Sequence, residues 1–443
     1  MENTIIQNVK QKVARSISFK ITVIVILSLL LLIPTAMVKD MIHERESYNN
    51  EVVQSVSNSW GGDQQIMGPF LTLPYIVQKE DKDGNPVYYS REINFTPKEL
   101  MISGDVNTTN RRISIYDVTL YNSKLTFTGN FTVPDLAQLN LDAYQILYDK
   151  AYVSMIVSDQ SGIKENVILN WNESKKEFKS GLPNRKIAES GFYTRAPMVP
   201  ELKTYQYSFN INLNGHKNLS FVPVAEQTEV KLSSPWRDPG FYGNFIPDTR
   251  IITEKGFEAE WKIFHLSRNI PSSWMGEREW GTESAFGVSL IEMVDEYQKN
   301  MRSAKYAFLI ICLTFLTFFL TEIIKKRPLH PFQYTMAGMA LVVFYILLLS
   351  ITEHTGFNIA YLISSILTGG LIITYISAIY KDKNLTTITG IFFLIIYGFI
   401  YIILQLEDFS LLVGAAGLFI ALAATMMLTR KIDWYNVRKP ISE

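Results

Sequence analysis

The chain has 443 residues, and its 42 Lys and Arg residues balance its 42 Asp and Glu residues to a formal net charge of +0. This balance gives no whole-molecule reason to expect nucleic-acid binding, and the length allows more than one structural unit. The only cysteine is Cys312, so no disulfide can form within the chain.

Six apolar segments are each long enough to cross a bilayer as a helix, which takes about 20 residues. The first, Phe19–Val38, follows a basic segment as in a signal peptide, but its apolar core is too long for one and Met37-Val38-Lys39 is a poor cleavage site. We therefore predict an uncleaved anchor. The other five are Ala304–Ile324, Tyr334–Ile351, Phe357–Tyr380, Thr386–Leu404 and Phe409–Leu428.

The polar segment between the first two spans carries the alternation of half-buried β-strands. Asn214-Gly215 predicts a tight hairpin turn whose return begins at Asn218, and Asn122-Ser123 predicts another turn. Short strands at this spacing are typical of an antiparallel sandwich or of two linked sheets. The alternating apolar residues include Tyr205, Tyr207, Phe209, Ile211 and Leu213, and also Phe257, Ala259, Trp261 and Ile263.

Two helices are predicted to flank this β-rich region. Lys39–Val56 is polar and charged, and we expect it to extend the first span outward. Val288–Arg302 has apolar residues near helical spacing, and Asp295 and Lys299 are placed to pair at i,i+4. This second helix is expected to run into the second span.

Lys and Arg residues near the span ends fall on one side of the membrane if the six helices alternate. The opposite short loops hold Glu353-His354 and Glu407-Asp408 instead. We therefore predict that both termini are cytoplasmic and that the β-rich domain is extracytoplasmic, with Arg302 and Lys305 snorkelling at the outer edge of the second span. The basic residues are Lys10, Lys12, Arg15, Lys20, Lys325, Lys326, Arg327, Lys381, Lys383, Arg430, Lys431, Arg438 and Lys439.

The predicted fold is a multipass α-helical membrane protein of six spans, with a large extracytoplasmic, mainly antiparallel β domain between spans 1 and 2. The predicted parts are a cytoplasmic N-terminus (1–18), transmembrane helix 1 (19–38), the β-rich domain with its flanking helices (39–303), a five-helix transmembrane bundle (304–429) and a cytoplasmic tail (430–443).

Ionisable residues at the outer ends of the spans form the first candidate functional cluster. Glu353 and His354 end the third span, and Glu407 and Asp408 end the fifth. If these ends meet, the carboxylates and the imidazole would form a metal site or a proton-linked switch, since histidine titrates near neutral pH. The alternative is that these residues have no function beyond keeping short, water-exposed loops polar.

A second candidate lies on the predicted cytoplasmic side. Charge near hydrocarbon is costly, so Glu322 is expected to form an ion pair with Lys325 or Lys326 at the interface. Pro331 suits the first turn of a helix, and His330 is expected to cap that helix or to pair nearby. Gln333 and Tyr334 complete this motif.

Motifs of known enzyme classes are absent from the sequence. It has no phosphate-binding loop, no His-Glu-x-x-His, no Cys-x-x-Cys and no Gly-x-Ser-x-Gly. Ser364, Ser365 and Ser377 lack the context of an intramembrane serine protease, and the sixth span has no histidine to act as base. We predict no catalytic residue, no metal and no cofactor.

Several distinctive segments occur in a fixed order along the chain. They are Gly68-Pro69, Leu73-Pro74-Tyr75, His330-Pro331-Phe332-Gln333-Tyr334, Phe344 through Phe357, Gln405-Leu406-Glu407-Asp408 and Arg430 through Trp434. With them, the chain resembles the CreD family of bacterial inner-membrane proteins nearly end to end. The resemblance implies a protein of the bacterial inner membrane that serves cell-envelope integrity, envelope stress and, in some bacteria, the β-lactam response alongside a two-component system. It implies no catalytic activity and no residue role.

Three functions remain open at this point. The first is a non-enzymatic envelope protein whose outer β domain binds or senses an unknown envelope component or protein partner. The second is a transporter or lipid-handling protein that uses the five-helix bundle, although its candidate charges lie at helix ends and not at the midplane. The third, a membrane enzyme, has least support. The lipid bilayer is an expected partner in each case, and nucleic acid in none.

Overall fold

The structure is a computed structural model that describes residues 17–83, 85–134, 145–184, 190–276, 284–291, 296–325, 328–406 and 409–430. The chain divides into two compact units. The first comprises Met1–Asn49 and Val294–Glu443, and the second comprises Asn50–Met293. The first is built from helices and the second from β-strands.

The helices follow the apolar segments of the sequence, because a helix satisfies its own backbone hydrogen bonds in hydrocarbon. Only Leu31 lies between the first two helices, and the 42 residues from Phe19 to Trp60 within them form one candidate span. The helices are α1 (Ile17–Leu30), α2 (Leu32–Trp60), α3 (Glu296–Lys305), α4 (Ala307–Lys325), α5 (Pro331–Thr355), α6 (Phe357–Tyr380), α7 (Lys383–Gln405) and α8 (Ser410–Thr429).

Four helical segments in the described part of the chain are long and apolar enough to cross a membrane, one of them near the N-terminus. Helices α3 and α4 are bent by 43° at Tyr306. They make a fifth segment of this kind if the bent pair is counted as one span. The described apolar stretch of α8, Leu412–Met427, is shorter than a span. Several membrane helices are therefore confirmed, whereas the count of six stays a prediction.

Local backbone geometry explains where the membrane helices start and stop. Gly356 has φ +79°, a value that favours glycine, and it ends α5 one residue before α6 begins. Lys381 ends α6 in the left-handed conformation. Asp382 then caps α7, because its Oδ1 accepts from the amides of Asn384 at 3.1 Å and Leu385 at 3.3 Å.

The first sheet of the β-rich unit, sheet A, is organised around its long strand β1. The first part of β1 pairs in parallel with β12, and its later part pairs antiparallel with β2. The order is β14-β18-β12-β1-β6-β10-β9, with β17 on β2 and β5 on β1. The strands are β1 (Gln64–Glu80), β2 (Pro86–Phe95), β5 (Gln145–Ile146), β6 (Tyr152–Val157), β9 (Lys179–Ser180), β10 (Gly191–Arg195), β12 (Asn218–Val222), β14 (Gly240–Gly243), β17 (Ser273–Met275) and β18 (Phe286–Ser289).

The second sheet, sheet B, has the order β15-β16-β13-β3-β4-β11-β7-β8. Its pairs are antiparallel except for β13 and β3, which run in parallel. The strands are β3 (Glu99–Ile113), β4 (Tyr116–Thr132), β7 (Ile168–Trp171), β8 (Ser174–Glu177), β11 (Thr204–His216), β13 (Gln227–Ser234), β15 (Thr249–Thr253) and β16 (Gly256–Phe264). The predicted large, mainly antiparallel β domain is confirmed.

One hydrophobic core is shared by both sheets. Leu71 of sheet A and Phe127 and Trp261 of sheet B are fully buried members of it. Burial of a side chain of this size stabilises the fold by about 2 kcal/mol. The alternation predicted for Tyr205 through Leu213 is confirmed, since those five side chains are all buried along β11.

Both turns predicted from local sequence in this region are wrong. Asn122-Ser123 lies within β4, and Asn214-Gly215 lies within β11, where Gly215 is the cross-strand partner of Tyr121. A Cβ atom at Gly215 would collide with the Tyr121 ring. Glycine is therefore required there to accommodate an aromatic side chain from the neighbouring strand. The chain turns instead at Lys217, which has φ +57°.

The helix predicted for Val288–Arg302 is also wrong in its first part. Val288 lies in β18, where it pairs with Leu219 of β12, and Leu290 is buried in the β core. Within the described residues, helix α3 runs from Glu296. Asp295, the expected partner of Lys299, lies outside the described residues.

Candidate functional site

A buried ion pair joins α1 to α4 within the helical unit. Glu322 is 3% exposed, and its carboxylate pairs with the ammonium group of Lys20. Lys20 Nζ also donates to the Leu329 carbonyl at 3.4 Å, and the Tyr334 hydroxyl donates to Glu322 Oε2 at 3.4 Å. Charge removed from water requires such partners. The partner shown for Glu322 is thus Lys20, whereas the Lys325 side chain and Lys326 lie outside the described residues.

His330, Pro331 and Gln333 together start helix α5. His330 Nδ1 accepts from the Phe332 amide at 3.2 Å, and Gln333 Oε1 accepts from the His330 amide at 2.9 Å. Pro331 occupies the first turn, where its missing N–H costs nothing. This reciprocal capping box gives hydrogen-bond acceptors to two backbone amides that have no partner within the helix. The motif therefore has a structural explanation.

The candidate cluster at the outer ends of the spans is only partly within the described residues. Glu353 Oε1 lies 3.8 Å from Arg45 Nε of α2. His354 is exposed at the last turn of α5. Glu407 and Asp408 lie outside the described residues. The cluster of Glu353, His354, Glu407 and Asp408 therefore stays a prediction.

The structure brings together a polar group that sequence reasoning missed. Asn358 Oδ1, at the start of α6, accepts from Gln405 Nε2 at 2.7 Å and from the Tyr401 hydroxyl at 3.2 Å. Lys299 Nζ of α3 donates to Gln405 Oε1 at 3.4 Å and lies 5.8 Å from the centre of the Phe357 ring. The available signal was an amide side chain in the first turn of one span and another in the last turn of the next.

Arg302 connects α3 to the end of α7. Its Nη2 donates to the Leu406 carbonyl at 2.5 Å and to the Ile403 carbonyl at 3.4 Å. These carbonyls belong to the end of α7, where a cation is favourable for the helix dipole. Arg302 therefore ties α3 to α7.

A lateral groove of about 680 Å³ lies between α6 and α7. Its lining is mostly apolar, and Asn358 and Tyr401 form part of one end. A Cβ atom added at Gly369, Gly370 or Gly398 would have no atom within 4 Å. The lining residues are Asn358, Tyr361, Leu362, Ser365, Ile366, Gly369, Gly370, Ile373, Gly390, Phe393, Leu394, Tyr397, Gly398 and Tyr401.

Within the β-rich unit, sheet B carries an open cleft of about 550 Å³ with charged and hydroxyl side chains in its lining. Lys231 Nζ lies 3.0 Å from Glu229 Oε1 and 3.4 Å from Glu260 Oε1. Hydrogen bonding to Glu229 raises the pKa of Lys231, and the hydrogen bond from Lys262 lowers the pKa of Glu260. The lining includes Ser103, Asp105, Lys124, Thr126, Lys231, Ser233, Thr249, Arg250, Ile251, Glu258 and Glu260.

His216 is a buried titratable group at the end of β11. Its Nδ1 lies 2.8 Å from the Thr119 carbonyl, so this nitrogen carries the proton of the neutral ring. Burial lowers the pKa of His216, and Lys217 lowers it further, whereas Asp63 opposes the shift. Among the described residues, no group of three His, Cys, Asp or Glu side chains is placed to hold a metal ion.

Comparison with known proteins covers nearly the whole chain. The model of a family described as "Inner membrane protein CreD" matches residues 16–435. The Inner membrane protein CreD of Escherichia coli (strain K12) is 33% identical over 426 residues, which are 93% of this chain and 92% of that protein.

Proposed function

The chain belongs to the CreD family of inner membrane proteins, and we propose that it supports cell-envelope integrity and the response to envelope stress, including stress from β-lactams, without acting as an enzyme. Its several apolar helices fit a multi-pass protein of the inner membrane. In this proposal the helices anchor the protein, and the β-rich unit is the module that binds or senses an envelope component.

The self-contained core of the β-rich unit is the observation that carries this proposal. Residues 50–293 fold as one compact unit whose sheets share a core. A unit with its own core is suited to water. The basic residues near the span ends support an extracytoplasmic location for it, because such residues favour the cytoplasmic side of the membrane.

Within this unit we propose the sheet B cleft as the contact surface. Lys124 and Arg250 offer cations, Asp105 and Glu258 offer carboxylates, and Thr249 offers a hydroxyl. Such mixed groups suit a polar partner that carries charges of both signs, such as a peptide of the envelope. Cross-strand ion pairs in water are the alternative role for these residues.

Photocrosslinking in living cells tests this surface. A photoreactive amino acid replaces Ile251, which lies in the cleft and is 61% exposed, or Ile168, which lies in sheet B away from the cleft and is 49% exposed. We expect a discrete adduct from position 251 and none from position 168. Equal adducts from both positions, or none from either, would argue against the cleft.

Two genetic measurements test the rest of the proposal. A reporter fused near position 200 should be active only on the extracytoplasmic side, and a cytoplasmic signal would overturn the arrangement. Cells that lack the protein should become sensitive to detergent and β-lactams, and the intact gene should restore resistance.

A lipid-handling role is the alternative that one observation favours. The lateral groove between α6 and α7 is of the size of ligand pockets, which span about 300–1,000 Å³. Among the described spans, the buried ion pair of Lys20 and Glu322 lies near helix ends, which does not favour ion-coupled transport.

A further inference from the structure

The groove between α6 and α7 is shaped by missing side chains. Gly369 and Gly370 of α6 and Gly390 and Gly398 of α7 all line it. At three of them a Cβ atom would have no atom within 4 Å, and at Gly390 the nearest atom is Ile373 Cδ1 at 3.5 Å. Close approach of the two helices therefore does not explain these glycines. What they leave is space between two membrane helices.

Both helices that form the groove have the length and composition of membrane spans. In a bilayer the groove would face lipid chains, so we expect hydrocarbon to occupy it. Leu362, Ile366 and Leu394 on its walls are 61%, 63% and 75% exposed. Apolar side chains facing a gap lose dispersion contacts unless something fills it. A lipid chain would restore those contacts without any cost of desolvating polar groups.

The Asn358 end of the groove offers polar partners. Lys299 donates to a neutral amide, Gln405, and lies beside the Phe357 ring, and no carboxylate lies within 4.0 Å of its ammonium group among the described residues. Lys299 thus places a cation next to the polar end of the groove, and a cation favours an anionic ligand. Asn358 and Tyr401 add amide and hydroxyl groups at the same end.

We propose that the α6–α7 groove binds one anionic phospholipid, with an acyl chain along the glycine-lined wall and the phosphate group at the Lys299–Asn358 end. Phosphatidylglycerol is the lipid that we choose for the test. The proposal requires only that these helices lie in a membrane, so it does not depend on what the β-rich unit binds.

Filling the groove tests where the acyl chain lies. The full chain is purified in detergent, and bound phosphatidylglycerol is measured by native mass spectrometry in Gly398→Leu and in the matched control Gly414→Leu. Gly414 lies on α8, outside the groove, and a Cβ atom there also has no atom within 4 Å. We expect Gly398→Leu to lower bound lipid about tenfold, because the new side chain occupies the apolar space, and Gly414→Leu to bind as the unchanged protein does.

Neutralising the cation tests the headgroup. The same measurement compares phosphatidylglycerol with phosphatidylcholine of identical chains, in Lys299→Gln and in the control Lys305→Gln on the same helix. One cation near a membrane surface accounts for a preference of about fivefold for the anionic lipid. We expect Lys299→Gln to abolish that preference and Lys305→Gln to keep it.

Three results would overturn the proposal. The first is equal lipid binding by Gly398→Leu and Gly414→Leu. The second is no preference for phosphatidylglycerol in the unchanged protein. The third is a dimer of the unchanged protein that Gly398→Leu dissociates, because the groove would then hold a helix of a second copy.

Discussion

Lys20 and Glu322 form an ion pair within the helical unit, although 302 positions separate them in the sequence. The pair joins the first helix to α4, and the Tyr334 hydroxyl and the Leu329 carbonyl also contact it. Lys20 and Glu322 therefore lower the cost of burying each other's charge.

Removing one member of this pair should destabilise the protein more than removing both. Glu322→Gln leaves the buried ammonium group of Lys20 without this carboxylate, which costs about 3 kcal/mol, and Lys20→Met is the second change of the double variant. The double variant removes both charges and should recover much of that loss. The measurement is the melting temperature of the purified full chain, with Lys305→Met as an exposed control. Additive losses in the double variant would contradict this prediction.

Variants of His330 should show whether its side chain acts only as a helix cap or also has a functional role. His330→Ala removes the acceptor of the Phe332 amide and should cost about 1 kcal/mol of stability. His330→Asn supplies another side-chain acceptor and should restore the loss, since asparagine is among the preferred caps. Thermal melting and complementation of envelope resistance are measured together. If His330→Asn is stable yet fails to complement, the imidazole has a role beyond the cap.

The effect of replacing Gly215 on the free energy of unfolding should depend on Tyr121. Gly215→Ala places a Cβ atom against the Tyr121 ring and should cost about 2 kcal/mol. In a Tyr121→Leu background the same change should cost much less, because the ring is gone. A double-mutant cycle of unfolding free energies measures the coupling, and Gly414→Ala, at a glycine with open space around it and outside the groove, is the control. Equal costs in both backgrounds would refute the coupling.

Stability should fall in mild acid because of His216. Burial lowers the pKa of this imidazole from its ordinary value of 6.5, so the unfolded chain binds the proton more readily than the folded chain. The stabilisation is complete above pH 6.5 and is lost as the pH falls from 6.5 through the lower folded pKa. Six of the seven tryptophans lie between residues 50 and 293, so tryptophan fluorescence monitors unfolding of this unit. His216→Gln should flatten the pH dependence between pH 7.5 and 5, and an unchanged slope would contradict the assignment.

Hydropathy predicted the membrane helices because a segment that crosses hydrocarbon must be apolar along nearly its whole length. The predicted span Phe357–Tyr380 has the bounds of α6, and the alternating residues Tyr205 to Leu213 lie along β11. In both cases the pattern repeats over many residues, so it outweighs local irregularities.

The failed predictions depend on contacts between distant segments. The turn residues at 214 and 215 lie within a long strand because Tyr121 of the neighbouring strand packs over Gly215. The partners that the structure shows for Glu322 and Arg302 are also distant in sequence, whereas the sequence alone suggested neighbouring lysines or lipid headgroups. No local rule predicts a glycine that leaves space for a side chain on another strand.

The parallel pairing of β1 with β12 has a consequence for synthesis of the protein. Gln64 of β1 is in register with Leu219, and Leu219 is in turn paired with Val288 of β18. Sheet A therefore cannot close until the ribosome has made nearly all of the β-rich unit. Until then its strand edges stay open to wrong pairing, and contacts this distant in sequence form slowly. We expect nascent chains that end before residue 286 to be protease-sensitive, and those that extend past residue 290 to become protected.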